Sequence, residues 1–155
     1  MTNYFIVETS VISYLAAPSS RDPVTVGRQL ITERWWSSRR SEYDLLISEA
    51  VEAECVRGDP QMVARGRLFL RDTALFPLNE RIIATCETAD RSGCCSGEGR
   101  PDAVHIAAAA VEKCEHLLTW NFRHIANARI RRQVERILAK NGYDGTTICT
   151  PEELI

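Results

Sequence analysis

Five short β-prone runs, separated by stretches with helical spacing, are the feature that most restricts what this chain can fold into. The runs are Tyr4-Phe5-Ile6-Val7, Asp44-Leu45-Leu46-Ile47, Leu75-Phe76-Pro77-Leu78, His116-Leu117-Leu118-Thr119 and Thr147-Ile148-Cys149. Between them Val51 and Cys55 pair at i, i+4, and Ile130, Val134 and Ile137 form a stripe with Arg129, Arg132 and Arg136 on an adjacent face. Strands alternating with helices predict an α/β fold: a parallel central sheet of four or five strands with helices on both faces. Boundary signals agree with this. Ser48 is placed to cap the helix after the second strand, and Thr150-Pro151-Glu152-Glu153 is a capping box with proline at the first helical position. Cys94 to Arg100 reads as a loop, and Pro101 opens the next helix.

The length, 155 residues, fits one domain, since domains commonly run to roughly 100–150 residues. No repeat, low-complexity tract or Pro/Gly/Ser-rich linker divides the chain, so residues 1–155 are read as a single domain. The longest apolar run, Ala103 to Val111, is interrupted by His105 and is far short of the ~20 residues that span a bilayer. The start Met1-Thr2-Asn3 lacks the basic and apolar segments of a secretory signal, which predicts a cytoplasmic protein with no membrane association. A net charge of −2 decides nothing about nucleic acid, because a local patch matters more than the sum. The six cysteines include no CxxC pair and match no zinc spacing, so they are read as free thiols, several of them buried.

In an open α/β sheet the ligand site lies beyond the carboxyl ends of the strands, where the strand order reverses. Strand one runs into Glu8-Thr9-Ser10, and strand four into Trp120-Asn121. If these strands are neighbours, Glu8 and Asn121 face each other across the switch point. Glu54 follows Ser48 by six residues; at ~100° of turn per residue it lies about 60° from Val51, nearer the buried face than Glu52. Asp102 begins a helix that is apolar almost all round, where a first-turn acid also suits the helix dipole. Three carboxylates and an amide with no adjacent lysine or arginine would repel one another unless a hard divalent cation, Mg²⁺ or Mn²⁺, offset the charge. Such a site can polarise a phosphoryl oxygen and orient an in-line attack, so phosphodiester cleavage is the natural reaction class. Taken singly, each residue also has an ordinary reading. Glu8 is then a solvated acid or a helix cap, Glu54 a surface glutamate with Glu49 and Glu52 as rivals, Asp102 a plain first-turn acid and Asn121 a turn former.

Those residues also carry a resemblance. Tyr4 to Ser13 with its Glu8-Thr9-Ser10, Ile47 to Glu54, Pro101-Asp102-Ala103-Val104-His105-Ile106-Ala107, and Leu117 to Phe122 resemble the four motifs of PIN domains, particularly the VapC-like toxins of type II toxin–antitoxin systems. The order and spacing run through nearly the whole chain. The resemblance implies a PIN-like three-layer sandwich and a metal-dependent endoribonuclease, with Glu8, Glu54 and Asp102 as metal ligands and Asn121 as the fourth catalytic position. It implies too an RNA substrate, a cognate antitoxin partner and frequent homodimers. The family usually has aspartate where this chain has Glu8 and Asn121, and the run Thr119 to Asn127 resembles a branch that carries Glu and Asn there. Glu8 adds a methylene of reach; Asn121 keeps a carbonyl for coordination but removes a negative charge. The alternative is a catalytically impaired PIN-fold binding protein. A nucleotide-binding doubly wound fold is disfavoured, because Glu8-Thr9-Ser10-Val11 lacks a glycine-rich turn to cradle phosphates.

The segment after the fourth motif is basic: Arg123, His124, Arg129, Arg131, Arg132, Arg136 and Lys140. It reads either as a track for an RNA backbone or as a solvated helix face. Of Trp35 and Trp36, one is expected in the core and the other nearer the surface. His105, on the apolar helix, is expected as a hydrogen-bonded buried histidine rather than a catalyst.

Overall fold

A computed structural model describes residues 4–91 and 100–155. Five parallel strands form one sheet in the order β3-β2-β1-β4-β5. They are β1 (Tyr4–Val7), β2 (Asp44–Ser48), β3 (Ala74–Phe76), β4 (His116–Leu118) and β5 (Thr147–Cys149). The chain builds outward from β1 through β2 to β3, then returns to the other side of β1 for β4 and β5. The reversal of strand order therefore falls between β1 and β4, which meets the condition for Glu8 and Asn121 to face each other. Their register pairs Val7 with Leu118, so the residues that follow each strand emerge side by side.

Both faces of the sheet are covered, which is why Phe5, Ile6 and Val7 are all buried in an unbroken apolar run. The alternation of a strand sends them to opposite sides. Ile6 and Leu117 join a core with Ile82 of α5 (Glu80–Arg91), the alanines of α6 (Arg100–Val111) and Val134 and Leu138 of α7 (Ala128–Lys140). Phe5, Val7 and Leu118 join a second core with Val11 and Leu15 of α1 (Thr9–Ala16), Trp35 of α2 (Pro23–Ser38) and Val51 of α3 (Glu49–Cys55). Phe69 and Leu70 of α4 (Pro60–Leu70) pack against that second core. Burying a large side chain of this kind contributes about 1.5–3 kcal/mol. The result is the expected three-layer arrangement.

The boundary signals act where the sequence puts them. The Ser48 side chain accepts from the Val51 N–H, and the capping box at Thr150 is complete, although it opens a 3₁₀ turn (Pro151–Leu154) rather than an α-helix. Strand three differs from the expected Leu75–Leu78. It starts a residue earlier and stops at Phe76, because Pro77 has no N–H to give a ladder. The loop expected from Cys94 lies outside the described residues except for Arg100, which α6 takes in. Trp35 is fully buried and Trp36 partly so. Cys114 and Cys149 are buried free thiols whose pKa burial pushes up to about 12, and Cys55 and Cys86 are half-buried. Among the described residues no helix is long and apolar enough to cross a membrane.

Candidate metal-binding site

Glu8 leaves β1 and caps α1, so its carboxylate is fixed by short-range geometry before any ligand is considered. Its Oε2 accepts from the Ser10 N–H at 3.1 Å, the Ser10 hydroxyl and the Thr119 hydroxyl at 2.7 Å. The residue is only 4% exposed. The helix-cap reading of Glu8 is thus met, and the same carboxylate stands at the switch point between β1 and β4. Thr119 also accepts from the Asn121 N–H at 3.0 Å, and Ser10 accepts from the Trp120 N–H at 2.8 Å. Two hydroxyls therefore tie the end of β1 to the end of β4. A buried carboxylate is tolerable only with such partners.

Asp102, in the first turn of α6, is half-buried. Its Oδ1 accepts from the Asn121 side-chain amide at 3.0 Å, while the Asn121 carbonyl oxygen accepts from the His124 N–H at 3.0 Å. Asn121 is therefore brought to the site, with its amide turned to Asp102 and its carbonyl engaged in the turn that follows. Burial and the negative charge of Glu8 raise the pKa of Asp102 against smaller opposing effects from His105, His124 and the Asn121 amide.

Three residue types that bind cations come together here. Glu8, Asp102 and His105 each offer a ligand atom, and these atoms lie within 4.8 Å of one another. Asp102 and His105 are three positions apart on α6 and so share a helix face. Oxygen donors of this kind suit hard divalent cations, with the imidazole adding one nitrogen. Crowding of two carboxylates with a carboxyl held above its ordinary range is what a bound cation would relieve, so the donor set fits a divalent metal ion.

Glu54 does not belong to that mutual group, but it is bound to it. Its Oε1 lies 3.2 Å from Nε2 of the fully buried His105, and its Oε2 accepts from the Thr9 hydroxyl. Burial opposes ionisation of Glu54, yet the His105 and Thr9 hydrogen bonds and the charges of His105 and Arg57 hold its pKa below the ordinary value. The reverse holds for His105. Burial alone would lower its pKa, but the Glu54 hydrogen bond and the negative charges of Glu8, Glu54 and Asp102 raise it. The rivals of Glu54 lie elsewhere: Glu49 accepts from the Leu78 N–H, and Glu52 is exposed.

All four residues singled out in the sequence thus reach one end of the sheet. His105 is buried and hydrogen-bonded as expected, but it also stands among the candidate ligands. Its i, i+3 spacing from Asp102 was the available signal. The hydroxyls of Thr9, Ser10 and Thr119 were not anticipated as the groups that hold the carboxylates. Away from the site, Arg129, Arg132 and Arg136 are exposed along α7, whereas Arg131 pairs with Glu153 at 3.0 Å.

No family model matches this sequence, and no curated protein does. Solved structures do match in shape. One is "2.2 A resolution structure of VapBC-1 from nontypeable Haemophilus influenzae", with a TM-score of 0.57 and 16% identity over 96% of this chain and 98% of that one. Another is VapBC2 from Rickettsia felis bound to a DNA fragment from its promoter, with a TM-score of 0.55 and 12% identity over 95% of this chain and 98% of that one. At such identities the likeness speaks for the fold. The chain has a PIN-like α/β fold, as in the VapC toxins of these VapBC complexes.

Proposed function

We propose that this chain is a metal-dependent endoribonuclease, a VapC-like toxin that hydrolyses RNA phosphodiester bonds and is restrained by a cognate antitoxin. The observation that carries the reading is the convergence of Glu8, Asp102 and His105 within 4.8 Å at the β1/β4 switch point of a PIN-like fold. Glu8 and Asp102 would hold Mg²⁺ or Mn²⁺, with His105 beside them and Glu54 reached through His105. A divalent ion bound there supplies positive charge for the phosphate and makes water a better nucleophile. The chain's own residues do the positioning. Ser10 and Thr119 fix the Glu8 carboxylate, Asn121 fixes Asp102, and Thr9 with His105 fixes Glu54. The like charges are thereby held in place before a ligand arrives, which is the form that electrostatic preorganisation takes. The exposed arginines of α7 offer phosphate contacts that do not depend on sequence.

The neighbours are toxin–antitoxin complexes, which supports a protein antitoxin as partner; a homodimer and a cytoplasmic site of action belong to the same reading. Induced expression in a bacterium without the antitoxin tests it. Growth should arrest with the natural sequence and continue with Asp102→Asn accumulated to the same level as folded protein. Equal arrest by both would refute the reading.

One observation favours a second reading, a PIN-fold binding protein with impaired catalysis. Asn121 has no negative charge, and its carbonyl is already occupied by the His124 N–H. Metal-dependent cleavage by the purified chain would exclude this alternative.

A further inference from the structure

The start of α7 is fixed to Asn121. The Asn121 backbone carbonyl accepts from the N–H groups of Ile125 and Ala126 at 3.0 and 2.7 Å, and both of those residues are buried. Asn127 then caps the helix, accepting from the Ile130 N–H at 3.0 Å and donating to the Phe122 carbonyl at 2.8 Å. From this start, close to the amide that orients Asp102, α7 runs to the opposite end of the sheet, where β5 begins.

One face of α7 is basic along its whole length. Arg129, Arg132, Arg136 and Lys140 are exposed and lie within about 80° of one another, at ~100° of turn per residue. Val134 and Leu138 turn the other way, into the core. Among the described residues none of the four is in an ion pair, while Arg131, off this face, is held by Glu153. The one acid of the helix, Glu135, stands to the side of the face.

A solvated surface needs no such arrangement. Arg132, Arg136 and Lys140 are like charges at successive i, i+4 positions, which destabilises a helix. Arg129 stands in the first turn, where the helix dipole disfavours a cation. The chain as a whole carries −2, so the face does not follow from a general excess of bases. A polyanion laid along the helix relieves all of these repulsions together. From Arg129 to Lys140 the axis rises ~16 Å, room for up to about five phosphates at ~3.4 Å each. We infer that this face of α7 is an exosite for the phosphate backbone on one side of the cut, so that the RNA must continue for about five nucleotides beyond the scissile bond on that side. This inference rests on the ribonuclease reading and adds to it a requirement on substrate length and polarity.

The test has two arms. The first is fluorescence-anisotropy binding with Asp102→Asn protein, so that the RNA stays whole, and labelled oligo(U) of 4 and 12 nucleotides. The longer strand should bind at least about tenfold more tightly. Combining Arg129→Gln, Arg132→Gln, Arg136→Gln and Lys140→Gln should remove that preference and lower the salt-dependence slope by about three, at ~0.7 per phosphate contact. Lysine at the three arginine positions should keep both, since the contact needs the charge rather than the guanidinium. The second arm uses protein with Asp102 intact, Mn²⁺ and a pool of random 20-nucleotide RNAs whose fragments are sequenced. Cuts should avoid about five positions next to one end of the strand only, and the fourfold variant should lose that asymmetry. Equal binding of the two lengths, an unchanged slope, or cuts equally close to both ends would overturn the exosite and leave the nuclease reading standing. No cleavage by the natural sequence would remove the nuclease reading and this inference with it.

Discussion

His105 Nε2 and Glu54 Oε1, 51 positions apart in the chain, lie 3.2 Å from each other at the edge of the candidate metal site. The contact joins α6 to α3 and makes the imidazole the link between Glu54 and the Glu8–Asp102 pair. Groups that orient ligands affect metal affinity by about 10- to 100-fold. His105→Leu, which keeps the site buried but removes both ring nitrogens, is expected to weaken Mn²⁺ binding by that order in titration calorimetry. Affinity equal to that of the natural sequence would place His105 outside the site's machinery.

Thr119 spans the sheet's switch point by giving its hydroxyl hydrogen to Glu8 while taking one from the Asn121 N–H. Thr119→Val conserves shape and leaves both partners short of a bond. Loss of a partner to a buried polar group costs about 1–3 kcal/mol. Urea denaturation in EDTA should show a destabilisation of that order. A change within error would mean that the two groups find other partners.

At the far edge of the sheet, Arg131 donates two hydrogen bonds to Glu153, at 3.0 and 3.1 Å, pinning the C-terminal turn to α7. The Arg131 hydrogen bonds lower the Glu153 pKa to about 2, helped by the Thr150 N–H and hydroxyl. A carboxyl whose folded pKa is depressed stabilises the protein above its unfolded pKa of about 4.3 and loses that contribution as pH falls towards the folded value. The Glu153 side chain is 47% exposed, so solvent screening keeps the effect to about 0.2–1 kcal/mol. Glu153→Gln should therefore melt below the natural sequence at pH 7, and the gap should close between about pH 4 and pH 2. A gap that persists at pH 2 would contradict the pairing as its source.

Much of this architecture can be read from the sequence because it depends on local or periodic signals. Unbroken apolar strands announce a sheet covered on both sides, and Ser48 and Thr150 mark their caps without reference to anything distant. Glu8 and Asn121 were legible because strand ends at a switch point need only the strand order. Asp102 was legible because a first-turn acid on a buried apolar helix stands near the end of the sheet, although the helix dipole alone would also suit it. The remainder depends on register and side-chain direction. That Thr119 serves Glu8 follows only once Val7 is known to pair with Leu118, and that Glu54 reaches the site through His105 follows only once α3 and α6 meet. The early end of β3 was foreseeable, since Pro77 stood inside the run expected to be a strand.

In the proposed activity, the acidic cluster gathered at β1 and β4 would use a divalent ion to cut RNA. Its most direct test is incubation of the purified chain, free of antitoxin, with a mixed RNA pool in Mg²⁺ or Mn²⁺ and in EDTA, with Asp102→Asn run alongside. Cleavage that appears only with metal and vanishes in the variant is the expected result. Cleavage that continues in EDTA, or that Asp102→Asn performs at the natural rate, would contradict it.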